Sequence, residues 1–129
     1  MKWKGERMKV LVIEDETNNM MLMCYILKKH GHEPIEAFTG EEGIEKATSS
    51  RPDLILTDIM LPGIDGFETT RRIRKMAAMM NVPIIAVTSY GMADDLETVK
   101  KAGYNGCIQK PIDPLTINDT IMGIIEATK

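Results

Sequence analysis

No run of basic residues interrupts this 129-residue sequence, whose formal net charge is -3. It therefore lacks the cationic stripe that proteins use to neutralise nucleic-acid phosphates, and no direct nucleic-acid partner is expected. No apolar stretch approaches the ~20 residues needed to cross a bilayer, because the longest are strand-sized. No secretory leader pattern opens the chain, so the expected location is cytoplasmic, with no membrane partner. Cysteine is scarce: Cys24 falls in a helix-like segment and Cys107 in a strand-like one, without metal-ligand spacing. Both read as small buried hydrophobes in a reduced compartment. The two histidines, His30 and His32, flank a glycine at a helix end and have no Cys or His neighbour in sequence, so they read as surface and capping residues. Repeats, linkers and low-complexity tracts are also missing. What is present is an ordinary balance, 43% hydrophobic and 27% charged, in a length suited to one domain with a real core.

Strand-like and helix-like segments alternate five times. Strands are expected near 9–13, 33–37, 53–57, 83–88 and 106–109, and helices near 17–29, 40–49, 66–79, 93–102 and 114–127. Thr39 with Glu42 and Asp65 with Glu68 sit at capping-box spacing. Asp113-Pro114 reads as an N-cap and first-turn proline, and Gly31 and Gly103 stand where left-handed C-terminal caps belong. Near-continuous apolar strands alternating with helices predict an α/β fold, a parallel sheet covered on both faces. Residues 1–7 carry no periodicity and are expected to be a flexible lead-in, with the domain spanning 8–129.

Four strand ends carry chemistry. Val10-Leu11-Val12-Ile13 runs into Glu14-Asp15, and Leu54-Ile55-Leu56-Thr57 stops at Asp58. Asp58 is followed by Ile59-Met60-Leu61-Pro62-Gly63-Ile64-Asp65-Gly66. Ile84-Ile85-Ala86-Val87 ends at Thr88, and Cys107-Ile108-Gln109 ends at Lys110-Pro111. In an open parallel sheet ligands bind at the C-terminal strand edge, so these groups can share one crevice. Singly, each has an ordinary explanation: a solvated acidic turn, a threonine of high β-propensity, a surface lysine before a helix. Together, in this order and spacing from about Met8 to the last helix, they resemble the receiver domain of two-component response regulators.

That resemblance implies a doubly wound, flavodoxin-like five-stranded sheet of order 2-1-3-4-5. It implies Asp58 as phosphoacceptor, with Lys110 and Thr88 meeting the phosphoryl oxygens, and a cis bond at Pro111. Glu14, Asp15 and Asp58 at one edge would repel unless a cation or raised pKa values intervene, and a hard divalent ion such as Mg2+ suits them. By the resemblance Asp15, Asp58 and the backbone carbonyl of Met60 ligate Mg2+ and Glu14 acts through water; the family's commonest pair is Asp-Asp, with Glu-Asp also frequent. The implied protein is not an enzyme beyond its own phosphorylation and autodephosphorylation.

One position departs from the family. Receivers usually carry Tyr or Phe three residues before the lysine, a ring that swings as the threonine moves, and here that residue is Cys107. Tyr104, three residues earlier, is a candidate substitute; a redox role for Cys107 lacks any cationic neighbour that would lower its pKa. Met60 and Tyr90, each two residues beyond a site residue, are bulky enough to hinder an attacking water and lengthen the phosphoryl lifetime. On the first helix Met20, Met23, Ile26 and Leu27 form a core stripe, whereas Met21 and Tyr25 fall on another side. With Pro111 and Ile112, that surplus apolar edge would dock a histidine kinase or histidine phosphotransfer domain. The fourth helix, fifth strand and fifth helix form the family's output face for a downstream protein or a homodimer, and no arginine–acid ladder there forces one. On the fifth helix Ile117, Ile121, Ile124 and Ile125 supply the core stripe, with Thr120 and Met122 turned away. Three other readings compete. A dehalogenase-type phosphohydrolase would need an Asp where Met60 stands. A nucleotide or flavin module would need a Gly/Ser/Thr-rich loop where Glu14-Asp15-Glu16 stands. A phosphorylation-independent adaptor is the alternative within the receiver family.

Overall fold

The computed structural model describes residues 7–89 and 96–128. The expected lead-in with Trp3, the Tyr90 position and the start of the fourth helix lie outside the described residues. Five strands, β1 Lys9–Ile13, β2 Glu33–Ala37, β3 Leu54–Thr57, β4 Ile84–Thr88 and β5 Gly106–Gln109, alternate with α1 Thr17–Lys29, α2 Gly40–Ser50, α3 Gly66–Arg74, α4 Leu96–Lys101 and α5 Ile117–Ala127. All pairings are parallel and the order is β2-β1-β3-β4-β5, the order the resemblance implies.

The central strands β1, β3 and β4 are almost wholly apolar and buried because both faces of the sheet are covered there, whereas edge strand β2 carries the exposed Glu33 and Glu36. Val10, Val12, Leu54, Leu56, Ile85 and Val87 join Met20, Met23, Ile26 and Leu27 of α1 and Ile117, Ile121 and Ile125 of α5 in one cluster. Leu11, Ile13, Ile55, Ile84 and Ala86 build a second cluster with Ala47, Ile73, Met79, Val99 and Tyr104. A fully buried Leu or Ile contributes about 1.5–3 kcal/mol, so these two layers carry the fold. On α5, Ile124 and Met122 are both half-buried against the first cluster, so Met122 is not turned away.

Local signals fix most of the boundaries. Thr39 Oγ1 accepts the Glu42 amide and Asp65 Oδ1 accepts the Glu68 amide, as the capping spacing predicts. Gly31 and Gly103 adopt φ 86 and 104. Three expectations need correction. The third helix ends at Arg74, because Met76 turns extended (φ -79, ψ 125) and a short 3-10 turn, Ala77–Met79, then buries Met79. The fifth helix begins at Ile117 rather than at Pro114. The Asp113 side chain accepts the Leu115 amide and its carbonyl accepts those of Thr116 and Ile117, making a separate turn before the helix. His32 is buried, its Nδ1 accepting the Met8 amide at 3.2 Å, so it is no surface residue.

Candidate functional site

Strand register brings the site together before any side chain is considered. Ile13 pairs with Thr57, Thr57 with Ala86, and Thr88 with Gln109. The next residues, Glu14, Asp58 and Lys110, therefore leave three strands at nearly one level, with Thr88 beside them. The Asp58 amide donates to the Ile13 carbonyl at 2.9 Å, which ties the two acidic strand ends. The Lys110 amide donates to the Thr88 carbonyl at 2.9 Å, which ties hydroxyl and ammonium to one another. The bond between Lys110 and Pro111 is cis.

The side chains complete a charge cluster. Lys110 Nζ donates to Glu14 Oε1 at 2.7 Å and to Asp58 Oδ2 at 2.8 Å. The second oxygen of each carboxylate accepts a backbone amide: Glu14 Oε2 from Glu16 at 3.0 Å, Asp58 Oδ1 from Met60 at 3.1 Å. Glu14 and Asp58 are buried, whereas Asp15 faces solvent. Oxygens of Glu14, Asp15 and Asp58 lie within 4.8 Å of one another, so the hard-oxygen donor set expected for a small divalent cation is assembled. One ammonium against three carboxylates leaves the crevice net negative, which favours a cation. Burial pushes the Glu14 carboxyl above its ordinary range, more strongly than Lys110 and the Glu16 amide pull it down. For Lys110 burial acts downward, but bonds to Asp58 and Glu14 outweigh it and hold the ammonium above its ordinary value. Thr88 is fully buried at the end of β4. The Met60 side chain is 62 % exposed beside the acidic cluster.

Other expectations resolve as follows. The Cys107 thiol is half-buried and pushed up by burial, the opposite of a reactive thiolate. Cys24 is buried and pushed up to about 11, mainly by burial and then by Glu36. Met21 and Tyr25 are 64 % and 66 % exposed. Ile112 is buried in the first cluster, and the exposed apolar residue of its loop is Leu115.

Sequence reasoning missed Gly66. Its amide donates to the Ile59 carbonyl at 2.8 Å, and a Cβ there would stand 2.3 Å from the Asp58 carbonyl. Only glycine lets α3 start so close to the Asp58 loop; its place just after the Asp65 cap was the available signal. Asn19 was also missed and lines a small void with Glu14 and Asp58. A cavity of about 550 Å3 opens at the opposite sheet edge among Asp53, Arg74, Val82 and Asn105. Its charged groups are already engaged: Arg74 binds carbonyl oxygens and Asn105, and Asp53 accepts the Lys9 amide.

Comparison with known proteins points the same way. A sequence profile for the response regulator receiver domain matches residues 10–122. The chain is 32% identical over 117 residues to the protein PilH of Pseudomonas aeruginosa, covering 91% of this chain and 97% of PilH. It is 36% identical over 112 residues to the polar-differentiation response regulator DivK of Brucella anthropi, covering 87% and 91%. The fold superposes with a TM-score of 0.82 and 29% identity on the receiver domain of a P. aeruginosa PAO1 sensor histidine kinase, covering 92% and 98%. That structure holds a magnesium ion in its active-site cleft.

Proposed function

The chain belongs to the response regulator receiver family, and on that premise we propose that it accepts a phosphoryl group on Asp58 from a histidine kinase or histidine phosphotransfer domain. The observation that carries this reading is the Lys110 ammonium shared between Asp58 and Glu14 at the end of β3. An Asp58 carboxylate oxygen forms the new bond to phosphorus while the bond from phosphorus to the donor's nitrogen breaks. Phosphoryl transfer of this kind is mostly positioning plus charge neutralisation. Lys110 follows the added charge from the carboxylate to a phosphoryl oxygen, and the Thr88 hydroxyl donates to another. Because the Lys110 amide is bonded to the Thr88 carbonyl, the two groups approach as a unit. Asp15, Asp58, the Met60 carbonyl and, through water, Glu14 would hold Mg2+, which supplies neutralisation of the negative charge gathered in transfer.

The acidic donor set supports that metal, as does the magnesium in the related kinase receiver domain. The exposed apolar residues Met21, Leu22 and Tyr25 of α1, with Leu115, support docking of a donor's histidine-bearing helix there. Met side chains adapt to such partners. Among the described residues no helix is long and apolar enough to cross a membrane, and a cytoplasmic site of action is proposed. The output passes to a downstream protein or a second copy through α4, β5 and α5, without turnover of any external substrate.

The test is intact mass after incubation with acetyl phosphate, with and without Mg2+, on the wild type and Asp58→Asn. The expected result is a Mg2+-dependent gain of one phosphoryl group that the variant lacks. A folded, Mg2+-binding protein that gains nothing would overturn the acceptor reading in favour of a phosphorylation-independent adaptor.

A further inference from the structure

Two hydroxyls, Thr70 on α3 and Tyr104 in the second core cluster just before β5, are buried, and neither has a hydrogen-bond partner among the described residues. They are neighbours, and Thr70 acts on the Tyr104 hydroxyl as a weak partner, but the two oxygens do not meet full hydrogen-bond geometry. Interiors rarely leave such groups unsatisfied, and an orphan calls for an explanation, such as another state in which it is paired. Tyr104 is 3 % exposed, and its ring packs edge-to-face on Phe67 at 6.1 Å and 69°. The ring is thus held, and the position of its hydroxyl is the informative part.

That hydroxyl lies 3.0 Å from the point where a Cβ on Gly66 would stand, and the Asp58 carbonyl oxygen lies 2.3 Å from the same point. Donor and acceptor both border the space that a side chain at residue 66 would fill. The Asp58 carbonyl already accepts the Thr57 hydroxyl at 3.0 Å and has a second lone pair. Cys107, which stands closer to Lys110 in sequence, puts no ring into this space.

We propose that Tyr104 is a positioning residue for the Asp58 loop, its hydroxyl unpaired in the resting state and donating to the Asp58 main-chain carbonyl once Asp58 carries a phosphoryl group. The inference rests on Asp58 as acceptor. A donor that gains a partner in only one state favours that state by the difference, so Tyr104 draws the loop toward the phosphorylated arrangement. The modification is read from beneath the acceptor, through its own peptide unit.

Beryllium fluoride with Mg2+, a mimic of aspartyl phosphate, tests this on the wild type, Tyr104→Phe and Thr70→Val. Melting temperature and apparent affinity for the mimic are the readouts. Tyr104→Phe is expected to melt no lower than wild type in the resting state, having lost only an unpaired hydroxyl. Its stabilisation by the mimic should shrink and its affinity fall about fivefold, the order of one hydrogen bond. Thr70→Val should keep the wild-type increment. Equal increments in wild type and Tyr104→Phe would overturn the proposal. So would an equal loss of stability in both states, which would mark a permanent water bridge instead. A wild type that ignores the mimic would overturn the acceptor reading itself, an outcome distinct from either.

Discussion

Two half-buried cations stand at opposite edges of the same sheet and are held in opposite ways. Lys110, at the C-terminal edge, faces two carboxylates. Arg74, at the N-terminal edge, faces neutral oxygens: the carbonyls of Gly103, Met79, Met80 and Val82 and the amide oxygen of Asn105. Asn105 in turn accepts the Ile84 amide at 2.8 Å, so one guanidinium pins the end of α3 and the starts of β4 and β5. Burial pulls the Arg74 pKa down, while its carboxylate partners push that of Lys110 up. A cation among carbonyls has fixed surroundings and acts as a staple. A cation among carboxylates sits where the proposed metal binding and phosphorylation would change the local charge, so its partners can be exchanged.

The largest effect should come from Arg74→Met, which strands several partly buried acceptors. A loss of about 3 kcal/mol is expected in urea denaturation. Mg2+ should not restore it, and phosphoryl acceptance should persist below the melting transition. Lys110→Met should cost less, about 1–2 kcal/mol without metal, because Glu14 and Asp58 keep their bonds to the Glu16 and Met60 amides and one of them can take up a proton. Here Mg2+ should recover much of the loss, while acceptance from acetyl phosphate slows at least about tenfold. Equal rescue of both variants by Mg2+ would show that the two cations are held in the same way.

His32 supplies a third buried basic group, held neutral. Burial lowers its pKa below 6.5, outweighing a bond to Asn118 that raises it and ahead of the His30 charge, which also lowers it. The unfolded chain therefore takes up a proton at higher pH than the folded one. The stability tied to neutral His32 is complete above pH 6.5 and is lost as pH falls through the lower folded value. His32→Asn, which keeps an acceptor for the Met8 amide, should flatten the acid limb of the stability–pH curve measured by urea denaturation. At the working edge, Met60→Ala should leave stability within about 0.5 kcal/mol, since the side chain is exposed. It should shorten the phosphoryl half-life about threefold, on the order of 0.7 kcal/mol, if bulk there hinders water. A longer half-life in the variant would remove Met60 from the account of lifetime.

The working edge was far more legible than the stapled one. Glu14, Asp58 and Lys110 each end an apolar strand, and parallel register turns that linear pattern into proximity. Arg74 carries no such signal, because its partners are main-chain carbonyls, which every residue has. The same blindness explains the third helix: periodicity continues past Arg74 into Ala77–Met79, and only the tertiary placement of Met79 breaks the helix. His32 was misread because its partner, the Met8 amide, is 24 residues away in sequence. Tyr104 was visible only as an aromatic displaced from an expected place, and its unpaired hydroxyl needed three dimensions to appear.

Among the described residues the sheet divides the apolar interior into two clusters with no buried residue in common. Substitutions on opposite sides of such a partition should be close to additive. The α1 and α5 side could drift toward new donors over evolutionary time while the layer beneath the Asp58 loop keeps its tuning. A lineage that duplicated this chain could insulate one copy's signalling partners from the other's by changing one side alone.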